Sequence, residues 1–277
     1  MIVENNNADH GANSDFFSQA ALAKRLSQES KYICFPPPNL SNFPKEAVAP
    51  RADIDLWLHR YLIRDSGIQE QIDKLRALPH DTQVALAKLV IILLSGEESA
   101  VHVFYREGNR LDQASALAGH KIFYQIAHEE EQHEKLLKFL YMYLPEPDDF
   151  DPIRAATRKF LVQLGGSGPA TQFARISSLD ACVCKIMSSI LSKNSKVSQI
   201  QLFERIAKKI RHDESGHVKV SRKHIANLGV SDKEFYEVDS NVRLNVVSLF
   251  ESFGSFFETL GVDPDKLSKK ILRGRNL

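Results

Sequence analysis

Apolar residues recur three and four positions apart through most of the chain, the spacing that places side chains on one face of a helix. No two segments show the alternation of apolar and polar residues that is typical of paired strands. Helical segments are predicted over residues 16–30, 53–78, 82–110, 112–143, 152–164, 171–193, 197–227 and 231–260, with a short basic helix from 264. The pattern therefore predicts an all-α fold with four long central helices and several additional ones.

The first fifty residues differ from the rest in composition. Residues 1–15 are polar and rich in asparagine, and they lack the apolar core of a signal peptide. Prolines between positions 36 and 50 then favour an extended arm. We predict an N-terminal tail and Pro-rich arm over 1–50, followed by a single helical domain over 51–277 whose core spans about 82–227.

Composition and charge narrow the possible partners. The chain has 277 residues, of which 43% are hydrophobic and 26% charged, as in a soluble globular protein. A formal net charge of only +1 argues against a broad nucleic-acid surface. The longest apolar run, 84–94, is interrupted by Lys88 and is too short to cross a bilayer. Three cysteines without a Cys-x-x-Cys pair fit a reducing compartment. We expect a cytoplasmic protein with no nucleic-acid or membrane partner.

Two Glu-x-x-His motifs are the most informative feature of the sequence. One is Glu130 to His133, and the other is Glu214 to His217. Residues i and i+3 of a helix lie about one turn apart on the same face, so the carboxylate and the imidazole can reach one metal ion together. A four-helix di-iron site takes such a motif from each of two helices and one carboxylate from each of the other two.

Acids precede both motifs at nearly equal distances. Asp180 lies 34 positions before Glu214 and is the only acid in its predicted helix. Because an unpaired buried aspartate is costly, Asp180 needs a metal or a strong partner. Glu98 lies 32 positions before Glu130, but Glu97 competes with it because apolar residues flank both. The pattern alone leaves the choice between Glu97 and Glu98 open.

These residues resemble the ferritin-like di-iron carboxylate superfamily over about residues 84–225. Gly96-Glu97-Glu98-Ser99 with Tyr105 is similar to the first-helix pattern of rubrerythrin-type members, in which a Tyr follows the ligand Glu by seven positions. That match selects Glu98. The second-helix pattern is matched by Phe123, Ala127, Glu130, His133 and Leu137.

The second half resembles oxygen-activating members of the superfamily. Asp180 followed by Asp213-Glu214-Ser215-Gly216-His217 is similar to the arrangement in the ribonucleotide reductase small subunit, bacterial multicomponent monooxygenases and p-aminobenzoate N-oxygenases. Asp180 replaces the usual Glu, which shortens its reach. The resemblance implies a ferritin-like four-helix bundle with additional N- and C-terminal helices.

The resemblance also implies a ligand set for two iron ions per chain, with manganese as the alternative metal. Carried over by position, the first iron would be bound by Glu98, Glu130 and His133. The second would be bound by Asp180, Glu214 and His217, with Glu130 and Glu214 bridging. In the family, an acid before each motif accepts the N–H of the opposite histidine. This implies that Asp213 orients His133 and that Glu129 orients His217.

Two other side chains near the motifs are open candidates. His102 lies one turn after Glu98 and is a conceivable extra ligand, and Tyr105 is a conceivable radical site.

Cys182 and Cys184 point to different faces of a helix, which argues against joint metal ligation. Pocket-lining positions one turn from the ligands are predicted to be Val101, Phe104, Phe123, Ala127, Val183, Cys184 and Met187.

The resemblance and the size of the chain together predict a non-heme di-iron oxygenase or oxidase. Such an enzyme activates O2 to hydroxylate, N-oxygenate or desaturate a small organic substrate, with electrons from a ferredoxin or a reductase. Two alternatives remain: a rubrerythrin- or ferritin-like protein that reduces peroxide or handles iron, and a radical-generating subunit. A homodimer is a further expectation from the resemblance.

Overall fold

The computed structural model describes residues 67–114, 120–165 and 168–274, and these ranges contain helices and no strand. The all-α class predicted from the sequence is therefore confirmed. The helices of the described ranges are α1 Ile68–Arg76, α2 His80–Gln113, α3 His120–Tyr141, α4 Phe150–Leu164, α5 Pro169–Ile190, α6 Gln201–Asn227, α7 Asp232–Glu251, α8 Phe256–Thr259 and α9 Pro264–Leu272.

The predicted segments agree with these helices to within a few residues, apart from two. The segment predicted over 112–143 starts too early, because residues 112 and 113 belong to α2 and α3 begins at His120. The segment predicted over 231–260 is broken after α7, where Gly254 has a φ of 74° that favours glycine, and α8 follows as a single turn. At its start, α7 is fixed by a capping box between Ser231 and Glu234. The predicted tail and arm over 1–50, the helix over 16–30 and most of the segment 53–78 lie outside the described residues.

Four long helices form two antiparallel pairs. In the first pair, α2 contacts α3 from Glu97 beside His133 to Phe104 beside Phe123. In the second pair, α5 packs against α6 in the same manner. The pairs meet along α3 and α6, which also run antiparallel. None of the helices in the described ranges is both long and apolar enough to cross a membrane.

Shorter helices cover the two pairs on one side. Helix α4 packs against α2, α7 packs against α5, and α4 and α7 contact each other. The larger apolar core extends through these helices, and a smaller aromatic core around Phe104, Phe123 and Phe173 fills the other end of the four long helices. The middle turns of the long helices lie between these two apolar cores, in surroundings that exclude water.

Candidate metal centre

Six buried ionisable side chains from the four long helices meet between the two apolar cores. Each of them is at most 6% exposed. Their metal-binding atoms form two groups that share one glutamate. Within each group, these atoms lie within 4.8 Å of one another, close enough to hold a metal ion. The first group is Glu97, Glu130, His133 and Glu214, and the second is Asp180, Glu214 and His217.

The two motif glutamates lie between the two motif histidines. Glu130 Oε2 is 3.3 Å from His133 Nδ1, and Glu130 Oε1 is 3.2 Å from His217 Nδ1. Glu214 spans the same two rings, with Oε1 3.6 Å from His133 Nδ1 and Oε2 3.6 Å from His217 Nδ1. Each glutamate therefore presents one oxygen toward each histidine, which is the arrangement that a bridging carboxylate requires.

The outer nitrogen of each histidine contacts a carboxylate on the opposite motif helix. His133 Nε2 is 2.9 Å from Asp213 Oδ2, and His217 Nε2 is 2.9 Å from Glu129 Oε2. Both contacts are those that the sequence resemblance implied. An Nε2–H that donates to a carboxylate leaves the Nδ1 lone pair directed into the cluster, which is the form in which imidazole binds a metal. Lys209 holds Asp213 in place at 2.6 Å.

The structure places Glu97, rather than Glu98, in the cluster. Glu97 Oε2 is 3.3 Å from His133 Nδ1, whereas Glu98 Oε1 is 3.2 Å from the ammonium of Lys138. Consecutive residues of a helix are rotated by about 100°, so only one of the two glutamates can face the motif histidine. The expectation that Glu98 belongs to the ligand set is therefore not met in the geometry. The residue that separates the two glutamates is Lys138 on the next helix, α3. It pairs with Glu98 and also with Glu134, which lies one turn before it on α3.

The additional candidates lie outside the cluster. His102 is exposed on α2, and the Tyr105 hydroxyl donates to Glu131 at 3.2 Å on a half-buried face. Cys182 is buried near Arg243, and Cys184 lies on the outer side of α5. None of these four side chains belongs to either metal-ligating group.

Burial controls the protonation of the acids in the cluster when no metal is bound. Burial, reinforced by the Glu130 carboxylate, raises the pKa of Glu97 well above its ordinary value. Burial, followed by the charges of Glu214 and Glu130, also raises the pKa of Asp180 well above its ordinary value. Burial acts in the same direction on Glu130, but hydrogen-bonding neighbours outweigh it and the pKa of Glu130 is lowered.

The pKa values of the two histidines are raised for the opposite reason. Burial lowers the pKa of His133, but the carboxylates of Glu97 and Asp213, with the motif glutamates, outweigh it, and the pKa is raised well above its ordinary value. His217 has its pKa raised in the same way, chiefly by Glu129. The carboxylates around the two rings therefore favour their protonated, positively charged form when no metal is bound.

Several buried donor atoms of the cluster lack a partner. Glu130 Oε2, Asp180 Oδ2 and His217 Nδ1 have no hydrogen-bond partner within the described residues. Buried polar atoms are normally paired, and leaving one unpaired costs about 1–3 kcal/mol. All three atoms are buried and belong to residues of the two metal-ligating groups, so metal ions bound there could give them partners. The donor set therefore fits a metal centre.

The charges fit a pair of divalent ions. Glu97, Glu130, Asp180 and Glu214 as carboxylates carry four negative charges, which equal the four positive charges of two divalent ions. A single divalent ion would balance only two of these four charges, so two of the acids would have to stay protonated.

Comparisons with family models, with curated proteins and with solved structures find no match for it. The chemistry of the site therefore has to be inferred from its own donor atoms and from the space beside them.

An apolar cavity opens onto the carboxylates. Its volume is about 80 Å³, and four of its lining residues are Glu97, Glu130, Asp180 and Glu214. The rest of its wall is mostly apolar and comes from α2, α4, α5 and α7, including Ile92, Phe160, Leu161, Ile176, Ile186 and Phe250.

The predicted positions of the pocket-lining residues are mostly wrong. Of the seven predicted residues, only Val183 lines the cavity. Phe104 and Phe123 instead belong to the aromatic core at the other end of the helices. The reason is that α4 and α7 enclose the cavity on the α2–α5 side, and their packing positions have no local signal in the sequence.

A second buried ionic group was not predicted. Glu107 Oε1 is 2.5 Å from His224 Nε2, and Glu107 also pairs with Arg110 at 2.5 Å. The His224 ring packs edge-on against Phe123 and Phe173 in the aromatic core. The residues are 117 positions apart, and a buried Glu on α2 facing a His on α6 has no short motif by which the sequence could show it.

Proposed function

We propose that this protein is a ferritin-like, non-heme di-iron oxygenase or oxidase that uses O2 to oxidise a small apolar organic substrate. One observation carries the proposal: an apolar cavity opens directly onto four carboxylates, and these lie beside two buried histidines. Ligands would come from Glu97, Glu130, His133, Asp180, Glu214 and His217, with Glu130 and Glu214 bridging.

The donor set favours iron, with manganese as the alternative. Carboxylate and imidazole ligands without thiolate suit Fe²⁺ and Mn²⁺, and Cys182 and Cys184 lie outside the cluster. When bound, two iron ions supply the reduction of O2 coupled to the oxidation of an organic molecule held beside them. The electrons for turnover would come from a ferredoxin or a reductase, and the homodimer remains a prediction.

The protein's own residues prepare the site for this chemistry. Asp213 and Glu129 fix the ring orientation of His133 and His217, so that Nδ1 of each ring faces inward. The two apolar cores exclude water from the carboxylates, which strengthens every electrostatic interaction within the cluster. The cavity places an apolar molecule directly beside Glu97 and Asp180.

The cavity also favours the oxygenase over the two alternatives. Peroxide reduction and iron handling need a route for a small polar species, and an apolar wall built by α4 and α7 serves neither. A radical subunit needs a buried tyrosine near the metals. Tyr105 instead directs its hydroxyl toward Glu131, away from the cluster. Both observations support the oxidation of an apolar substrate.

Gly96 offers a direct test because it lines the cavity on α2. A Cβ added at Gly96 meets no atom within 4 Å, so a larger side chain can extend into the cavity without disturbing the helix. The protein would be loaded with Fe²⁺ without oxygen, mixed with O2 and toluene, aniline or butane, and analysed for oxidised products by mass spectrometry. We expect product from at least one of these compounds in the wild type.

Gly96→Leu and Gly96→Ala form a matched pair for this assay. We expect Gly96→Leu to bind two iron ions and to consume O2 for iron oxidation, but to form no organic product. Gly96→Ala, which fills little of the cavity, should retain product formation. If the wild type consumes only the O2 that iron oxidation requires with every compound, the oxygenase proposal is wrong and iron handling takes its place.

A further inference from the structure

A second, basic pocket lies on the outer side of α5 and α6. Its volume is about 510 Å³, which is within the range of small-molecule sites. It shares no lining residue with the apolar cavity, because the two open on different faces of α5. Its lining, which we call the basic groove, consists of Ala181, Cys184, Lys185, Ser188, Arg211, His212, Ser215, Val218, Lys219, Arg222 and Arg243.

The basic groove has five cationic side chains and no carboxylate among its lining residues. Within the described residues, Lys185, Arg211 and Lys219 form no ion pair with a carboxylate. Lys185 donates only to the backbone carbonyls of Ile271 and Arg273. Three cations therefore line one concave surface with no carboxylate of the described residues within ion-pairing distance.

The other two cations fix the shape of the groove. Arg243 is buried, and it is held by Asp239 at 2.6 Å and by the carbonyl of Ile271 at 2.8 Å. Arg222 stacks over the ring of Phe235 at 5.0 Å. A guanidinium held in one orientation has already lost much of its rotamer freedom, so an anion that binds beside it does not bear that cost.

The cations around the groove repel one another. Burial lowers the pKa of Lys185, and the positive charge of Arg243 lowers it further. Burial followed by the charge of Arg211 also lowers the pKa of Lys270, which donates to the hydroxyl of Ser189. An anion in the groove would relieve this repulsion, so the electrostatic energy of the empty surface favours anion binding.

We propose that the basic groove binds a small phosphate-bearing anion with at least two negative charges. Arginine matches the geometry of phosphate oxygens through two parallel N–H donors, and Arg211 and Arg222 lie on the same helix face three turns apart with Lys219 between them. The hydroxyl of Ser215 adds a further donor on that wall. This site is separate from the metal centre and does not depend on which metal is bound there.

Calorimetric titration of the full-length protein with pyrophosphate, inorganic phosphate and citrate tests this proposal. We expect pyrophosphate to bind at one site per chain, more tightly than inorganic phosphate or citrate, with an affinity that falls as salt is added. Arg211→Gln and Lys219→Gln should each weaken pyrophosphate binding about tenfold, because each removes a charge-assisted contact. Lys121→Gln, which removes an equally exposed lysine from α3, is the matched control and should bind as the wild type does.

Thermal melting and iron content of each variant show whether the fold and the metal centre are retained. Three results would overturn the proposal: no heat of binding with pyrophosphate up to millimolar concentrations, equal binding by the wild type and the Arg211→Gln/Lys219→Gln double variant, or equal weakening by Lys121→Gln. Tight binding of a duplex oligonucleotide without binding of pyrophosphate would also overturn it, in favour of a nucleic-acid surface. None of these results bears on the oxygenase, which is tested separately at Gly96.

Discussion

Replacing either Glu97 or Glu98 with glutamine tests which of the two is a metal ligand. The structure places Glu97 in the cluster, whereas the sequence resemblance selects Glu98. Glu97→Gln removes a carboxylate that lies 3.3 Å from His133 Nδ1, and Glu98→Gln removes one that lies 3.2 Å from Lys138. The chemical change is identical, and the two positions are adjacent in α2. The structure predicts that only Glu97→Gln weakens metal binding.

The expected size of the effect follows from charge and ligand count. Removing even an outer hydrogen-bond partner of a metal ligand commonly weakens metal binding 10- to 100-fold. Loss of a ligand should cost at least about 100-fold, or about 2.8 kcal/mol. Glu98→Gln instead loses an ion pair whose Lys138 keeps its other partner, Glu134. Because burial raises the pKa of Glu98, a neutral side chain is tolerated at this position, so we expect at most about 1 kcal/mol in the free energy of unfolding and no loss of metal.

The metal-free fold serves as the internal control. Because burial raises the pKa of Glu97, the neutral acid is favoured in the metal-free protein, and glutamine resembles that neutral form. The thermal melting of metal-free Glu97→Gln should therefore match that of the wild type. Metal content after Fe²⁺ loading and desalting, with a competing chelator to rank affinities, measures the effect. Retention of both metals by Glu97→Gln together with their loss from Glu98→Gln would refute the assignment.

Three further predictions follow from the contacts around the centre. Asp213→Asn should weaken metal binding 10- to 100-fold with the cluster still assembled, because His133 loses the carboxylate that orients it; unchanged affinity in a chelator titration would contradict this role. Metal affinity should fall as pH is lowered, because the histidines and two of the acids have raised pKa values and must release protons to bind a metal. Calorimetry in buffers of different ionisation enthalpy measures the protons released on metal binding. Metal binding without proton release would contradict the raised pKa values. Glu107→Gln should lower the free energy of unfolding by about 3 kcal/mol, because it leaves His224 in a buried site without its carboxylate; a denaturant melt within 0.5 kcal/mol of the wild type, on the scale of a neutral surface change, would contradict it.

The contribution of Glu107 to the free energy of unfolding should depend on pH, and the direction follows from its pKa. Burial raises the pKa of Glu107, but its contacts with Arg110 and His224 outweigh this, and the net pKa is lowered. A group with a lowered pKa in the folded state stabilises the protein above the pKa it has when unfolded. That stabilisation is lost as pH falls through the lowered value, so Glu107→Gln should cost less at acidic pH than at neutral pH.

Local spacing was enough to predict the helices and most of the cluster. The Glu-x-x-His motifs identify Glu130, His133, Glu214 and His217 because helical geometry alone places i and i+3 together. Asp180 is identified because a lone acid on an apolar helix face requires a partner. The structure brings all five of these side chains together.

Features that depend on packing between distant helices could not be predicted in this way. Glu97 and Glu98 both have apolar neighbours on α2, and only the position of Lys138 on α3 separates them. The cavity is enclosed by α4 and α7, whose contacts with α2 and α5 are tertiary. The pair of Glu107 and His224 joins two helices across 117 positions, without a motif in either.

The central claim is that two metal ions share the carboxylates of Glu130 and Glu214. Anomalous X-ray diffraction from crystals of the iron-loaded protein, recorded on both sides of the iron absorption edge, tests it most directly. We predict two peaks within about 4 Å of each other, one beside Nδ1 of His133 and one beside Nδ1 of His217. A single peak, or iron found only at the surface of the protein, would contradict the account.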